Sequence, residues 1–216
     1  MIRRINKIYW ICIIISMLNT ACDDNNRTTV DPPSVVFYSL QDALDHSEDA
    51  LELRLRNIGD SLAPEIGLLP HLYFLRIDDS DIRYLPDEIT ALRPQLQFLY
   101  MPNCQFDHIP PQICTLSGLS HLILDGNTIE SLPEEFVQLK QIDGLSLVGN
   151  RLREFTRESF ASKDCLLLAL DSNRLTSFDF TRADLPRVNT LSLVGNPLPD
   201  SVKQRLKEEF GSVVRL

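Results

Sequence analysis

Leu119 to Gln141 reads LSHLILDGNTIESLPEEFVQLKQ, and its spacing decides the fold. Apolar side chains stand at Leu119, Leu122, Leu124, Ile129, Leu132, Phe136 and Leu139, with Asn127 inside the run. Leu122 and Leu124 alternate with His121 and Ile123 as strand residues do, whereas an amphipathic helix would space its apolar residues three and four apart. The segment from Ile142 repeats the arrangement with Leu145, Leu147, Asn150 and Leu152, and the one from Cys165 with Leu168, Leu170, Asn173 and Leu175. Corresponding starts at 72, 96, 119, 142, 165 and 188 are 24, 23, 23, 23 and 23 residues apart. A unit this short cannot bury its apolar stripe alone, so neighbouring units must stack.

The pattern L-x-x-L-x-L-x-x-N-x-L, carried from about Ala50 to Leu198, resembles the leucine-rich-repeat family. The resemblance implies an α/β repeat solenoid. It would be a right-handed superhelix with a parallel β-sheet on the concave face, short helical or irregular convex segments, and a cap at each end. Residues 50–198 would hold about seven repeats, the first of them, Ala50 to His71, irregular. Each repeat would bury about seven side chains, worth roughly 1.5–3 kcal/mol apiece. Asn127, Asn150, Asn173 and Asn196 share one inward turn position, which Ser80 and Cys104 hold in earlier repeats. An amide there both donates and accepts, so it can satisfy backbone groups of adjacent turns. This is a structural ladder rather than catalytic machinery.

The 216 residues include 21 Lys plus Arg against 30 Asp plus Glu, a net charge of −9. A net-acidic chain without a basic cluster argues against nucleic acid, which demands phosphate-neutralising Lys and Arg. A hydrophobic content of 44% is ample for a solenoid core.

Residues 1–21 read as a signal peptide, with Arg3, Arg4 and Lys7 before an apolar run from Ile8 to Leu18. Eleven apolar residues are too few for a spanning helix, which needs about 20. Leu18-Asn19-Thr20-Ala21-Cys22 resembles a bacterial lipoprotein lipobox, although Asn19 stands where leucine is usual. The resemblance implies lipidation of Cys22; the alternative is an ordinary cleaved signal peptide. Asp23 and Asp24 resemble the surface-export signal of Bacteroidetes lipoproteins, and equally the retention signal of enteric inner-membrane lipoproteins. Outward display suits a recognition repeat better. The expected location is therefore the bacterial cell envelope, lipid-anchored in the outer membrane and surface-exposed. Residues 22–34, with Pro32 and Pro33, read as a tether; loss of the leader leaves 18 basic against 30 acidic residues, a net −12.

Residues 35–49 are expected to cap the N-terminal end of the core, with Ser39 as helix N-cap. Residues 199–216 should cap the other end through a helix started by a Ser201–Gln204 capping box. Val202, Leu206 and Phe210 give that helix its apolar face, Gly211 ends it, and Val213 to Leu216 can add a strand. Between the caps, Leu85-Pro86, Ile109-Pro110 and Leu132-Pro133 recur where the chain turns onto the convex side. The repeats from Ile142 and Cys165 replace the proline with Phe155, Phe160, Phe178 and Phe180, predicting a differently packed convex side.

Chemistry-bearing residues are sparse. Cys104, His108 and Cys114 fall within one repeat, but their spacing matches no zinc signature and their repeat positions point apart, so no metal site is expected. No nucleophile motif or phosphate-binding glycine loop is present, and no enzyme activity or cofactor is expected. The informative positions flank the strand leucines on the concave face. Phe74, Arg76, Asp78, Phe98, Tyr100, His121, Ile123 and Asp125 place aromatic and apolar groups beside charges in adjacent rungs. Exposed aromatics beside Arg have the composition of protein-interface anchors. The expected function is an exported, lipid-anchored protein-binding module. Two alternatives are a glycan-binding surface lipoprotein, with the aromatics stacking on sugar rings, and a self-associating structural protein of the envelope.

Overall fold

In the computed structural model, which describes residues 36–216, short strands follow one another in a single parallel sheet of nine. They are β1 (Val36–Phe37), β2 (Glu52–Arg56), β3 (Phe74–Asp78), β4 (Phe98–Tyr100), β5 (His121–Ile123), β6 (Gly144–Ser146), β7 (Leu167–Ala169), β8 (Thr190–Ser192) and β9 (Val214–Arg215). Each pairs with the next in sequence, so Leu53, Leu75, Leu99, Leu122, Leu145, Leu168 and Leu191 stand in one register column. Parallel neighbours need a crossover of a dozen residues or more, and a 23-residue period supplies strand and return together. These leucines, with Leu55, Ile77, Met101, Leu124, Leu147, Leu170 and Leu193, belong to one buried core that runs the length of the sheet. The solenoid expected from the spacing is the fold observed.

From β2 to β8 each rung turns out of its strand through a residue of positive φ: Asn57, Asp79, Asn103, Gly126, Gly149, Ser172 and Gly195, between 48° and 77°. Only Gly, and short polar residues that can bond locally, reach this region at low cost, which accounts for the residue types in the column.

The return segments differ between the two halves. Pro64–Leu68, Asp87–Leu92 and Glu134–Gln138 form short 3₁₀ turns, and Pro111–Cys114 a single helical turn. Pro86, Pro110 and Pro133 precede three of these with φ of −67°, −55° and −70°, the value their rings impose. Beyond Ser146 the returns to β7 and β8 contain no helix. Phe155, Phe160, Phe178 and Phe180 fill that volume, with ring centroids 4.8–6.2 Å apart. The bulk of the rings takes the place of a helical turn.

Both ends of the core are covered. Ser39 caps α1 (Leu40–Asp45), its Oγ accepting from the Asp42 N–H at 3.4 Å, and Ala43 packs against the core. Val36 and Phe37 pair with Glu52 and Leu53, a strand too short for any periodicity to reveal. The helical turn Pro111–Cys114 is α2, and the C-terminal helix α3 runs Asp200–Phe210. The Ser201–Gln204 capping box does not form. Pro199, already at φ −59° and ψ 151°, takes the N-cap position two residues earlier, so Ser201 lies inside the first turn. Gln204 Nε2 donates instead to Glu208 at 2.8 Å. Leu206 and Phe210 are buried, Gly211 ends the helix at φ 57°, and β9 adds the last rung. The leader, Cys22 and the tether lie outside the described residues.

Candidate functional site

The asparagine ladder is complete from Asn127 onward. Asn150 Oδ1 accepts from the Ile129 N–H at 3.0 Å, and its Nδ2 donates to the carbonyls of Leu124 and Leu147 at 2.9 and 3.1 Å. Asn127, Asn173 and Asn196 bond the equivalent groups of Phe106, Leu152 and Leu175. Ser80 accepts from Ile58 at 3.2 Å, and Cys104 makes only weak contacts of 3.8 Å. These side chains hold rungs together and are themselves buried, out of a ligand's reach.

Strand alternation sends two other columns to the concave face. One runs Glu52, Phe74, Phe98, His121, Gly144, Leu167, Thr190; the other Arg54, Arg76, Tyr100, Ile123, Ser146, Ala169, Ser192. Phe74, Phe98 and Tyr100 form a hydrophobic cluster separate from the solenoid core, with Tyr73 and Ile123 packed against it. The sequence suggested exposed rings. They are instead buried, at 3%, 5% and 6% accessibility. Rungs about 4.8 Å apart bring such large groups into contact with one another. Phe74 lies 6.0 Å from Phe98 and 5.1 Å from Tyr100, and Tyr73 meets Phe98 edge-on at 5.2 Å. Burial pushes the phenols of Tyr73 and Tyr100 up to about 12, so both stay protonated donors.

Charged and polar groups border this cluster. The Arg54 guanidinium sits 5.6 Å from the Phe74 ring centroid while Nε reaches Glu52. Arg76 Nε pairs with Asp78 Oδ2 at 2.6 Å, leaving the buried Asp78 Oδ1 without a hydrogen bond. Asn103 and Arg56 both donate to Asp79 and hold its carboxyl below the usual range. His121 stacks on Phe98 at 4.6 Å and 16°, and its Nδ1 lies 3.0 Å from Ser120 Oγ. This ring position depends on Gly144, where a Cβ would come within 2.7 Å of His121 Cδ2.

Asp125, the eighth candidate, plays a different part. Its Oδ1 accepts from Ser146 Oγ at 2.6 Å and the Val148 N–H at 2.9 Å, clamping its rung to the next. Asp171 does the same two repeats later with Ser192 and Val194, each at 2.6 Å. Asp125 is therefore scaffold rather than a free recognition group. The signal was present in the alternation Asp125, Val148, Asp171, Val194 against Ser146 and Ser192, but it has a period of two repeats. Desolvation raises the Asp125 carboxyl, against the two hydrogen bonds that lower it.

Cys104 is buried while His108 is exposed and bonds Asp107, so the two do not converge. Among the described residues no group of three or more His, Cys, Asp or Glu could hold a metal ion. Cys104, Cys114 and Cys165 are free and buried, and burial pushes their thiols up to about 11, 12 and 12.

Residues 50–163 match the family model described as "Leucine-rich repeat region". The chain belongs to the leucine-rich-repeat family. An internalin from Listeria monocytogenes is similar to this leucine-rich-repeat chain with a TM-score of 0.67 and 16% identity, over 82% of this chain and 50% of that one. The leucine-rich-repeat ectodomain of the Arabidopsis thaliana receptor kinase GASSHO1/SCHENGEN3, solved in complex with CASPARIAN STRIP INTEGRITY FACTOR 2, gives 0.61 and 23%, over 78% and 21%. Both likenesses concern the fold. In sequence, an adenylate cyclase of Schizosaccharomyces pombe is 24% identical over 164 residues, 70% of this chain and 10% of the cyclase. The leucine-rich-repeat chain spans about a tenth of the curated relatives it matches.

Proposed function

We propose that this protein is an exported recognition module, lipid-anchored through Cys22 in the bacterial envelope and displayed at the outer surface. It would bind a protein partner on the concave face. One observation carries the binding reading: Phe74, Phe98 and Tyr100 form a hydrophobic cluster outside the core. The fold does not need bulk there, because the same columns continue as Gly144, Ser146, Ala169 and Ser192. A cluster of aromatic rings on one half of a face whose other half, Leu167 apart, carries small residues is what a recognition surface requires. In this reading the buried rings are backing, and the half-buried Arg54, Tyr73, Arg76, His121 and Ile123 meet the partner. The receptor ectodomain solved with a bound factor lends the analogy of fold. Sugar stacking is less well supported, since it needs open ring faces. The role is recognition, with no catalytic step or cofactor assigned.

Export rests on the leader and Cys22. Proximity labelling on intact cells tests the whole reading. The His121→Ala, Ile123→Ser double variant should lose a labelled neighbour while its melting temperature changes little; identical neighbours for variant and wild type would sink the concave site. Mass spectrometry of the mature N-terminal peptide should show an acylated Cys22, and an unmodified cysteine would refute the anchor.

A further inference from the structure

The aromatic cluster ends at β5, but the concave face continues to β8 with a pattern of its own. The N–H groups of Asn103, Gly126, Gly149 and Ser172 donate to the carbonyls of Asp125, Val148, Asp171 and Val194 at 2.7–2.9 Å, which aligns these four residues in a third outward column. Arg56, Asp78 and Pro102 begin that column.

Charge is handled differently along the face. On β2 and β3, Arg54, Arg56 and Arg76 pair with Glu52, Asp79 and Asp78. From β4 to β8 the three columns hold no Lys or Arg, and their acids are Asp125 and Asp171. Arg215 follows Ser192 on β9, two rungs beyond Asp171. Neither Asp125 nor Asp171 has a salt bridge among the described residues. Each accepts through Oδ1 from a serine and a backbone N–H, which fixes the carboxylate and leaves its charge uncompensated. Burial raises the Asp125 carboxyl, and the charge of Asp171 two rungs away adds to the effect.

The surroundings of Asp171 favour one kind of cation. Val148 and Val194 flank it one rung to either side, about 4.8 Å away. Val148 is half-buried and Val194 is 46% exposed. Gly149, Ser172 and Gly195 border the column and are too small to block an approach. A compact ion would gain nothing from the valines. A lysine or arginine has an apolar stem and a charged tip, so its methylenes can lie along a valine while the tip reaches the carboxylate.

We propose that the partner on the concave face is an extended polypeptide segment that sets an apolar side chain on His121 and Ile123 and a basic side chain on Asp171, between Val148 and Val194. This rests on the concave reading above and adds the partner's chemistry. From β5 to β7 is two rungs, about 10 Å, which an extended chain covers in about three residues. An acidic residue at that distance would meet Asp125 and Asp171 with like charge, so the face also rejects acidic segments.

Fluorescence anisotropy of the purified chain with three synthetic peptide libraries tests the assignment. All carry one fixed leucine and neutral residues elsewhere, except that the third position after the leucine is lysine, glutamate or norleucine. The lysine library should bind about threefold or more tightly than the norleucine library, as a partly exposed ion pair allows, and the glutamate library least. Asp171→Asn keeps an oxygen for Ser192 and Val194 and should bring the lysine and norleucine libraries level. Val194→Lys should do the same by supplying a cation from the chain itself. Equal binding of the two libraries to wild type, a preference for glutamate, or a lysine preference that survives Asp171→Asn would overturn the basic seat. Binding by none of the libraries would overturn the peptide assignment. The His121→Ala, Ile123→Ser variant separates the two readings: it should weaken every library, and binding that it leaves unchanged would count against the concave site itself. Unchanged circular-dichroism spectra show that the variants fold.

Discussion

Replacing Asn150 by alanine tests what the ladder contributes. The amide is buried and makes three bonds, accepting from Ile129 and donating to Leu124 and Leu147. The two carbonyls are not stranded by the change. Leu124 O also accepts from Asn127 Nδ2 at 2.9 Å, and Leu147 O from Asn173 Nδ2 at 2.8 Å. The Ile129 N–H loses the acceptor it has. A buried unpaired donor costs about 1–3 kcal/mol, and each lost but redundant hydrogen bond about 0.5–1.5 kcal/mol. The total loss should be about 2–6 kcal/mol. Cys104→Ala at the equivalent position removes only sulfur contacts of 3.8 Å, and its loss should stay near the cost of the buried sulfur alone, about 1 kcal/mol. Urea unfolding followed by circular dichroism gives both values, provided the slope m is compared between proteins, because a solenoid can break at a weakened interface and unfold in parts. Equal losses for the two variants, or a loss below about 0.5 kcal/mol for Asn150→Ala, would refute the hydrogen-bond account.

Asp125→Asn keeps the oxygen that Ser146 and Val148 bond but removes a buried charge. Burial raises the folded-state carboxyl above its unfolded value, so wild-type stability falls as pH rises through the window between the two values and stays lower above it. The variant should be the more stable at pH 7, and its advantage should disappear as acid protonates Asp125; pH-resolved denaturation checks this, and a constant difference would contradict it. Gly144→Ala should displace the His121 ring from Phe98, since the new methyl falls 2.7 Å from His121 Cδ2. His121 ring resonances should move downfield as the aromatic shielding is lost, and unchanged shifts would show that the stack tolerates the methyl. Site-resolved alkylation of the native protein at pH 8 should leave Cys104, Cys114 and Cys165 unlabelled until denaturant is added, because burial disfavours every thiolate. Rapid labelling of any one of them would place it on an opening segment.

The spacing in Leu119 to Gln141, recurring every 23 residues, was enough to show stacked repeats and inward leucines, and the leucine-rich-repeat resemblance it carries implied the solenoid, the parallel sheet and the ladder. Periodicity is local, and each repeat must present the same apolar groups to its neighbours whatever else the chain does. Ser39 and Gly211 were legible for a similar reason, since helix caps depend on a few adjacent residues. What lies across rungs was not legible. Side chains 21–24 residues apart meet only after stacking, and two residues of like type then diverge: Asp79 becomes an acceptor for Arg56 and Asn103, while Asp125 becomes a clamp on Ser146. The concave aromatics were correctly placed on their face, but their accessibility was not, because rings on rungs so closely spaced shield one another. Proline at position 199 likewise displaced a capping box that residue types alone suggested. Sequence determines which face a side chain takes through alternation; only the stacked structure decides which neighbours it meets there, and so whether it is scaffold or open to a partner.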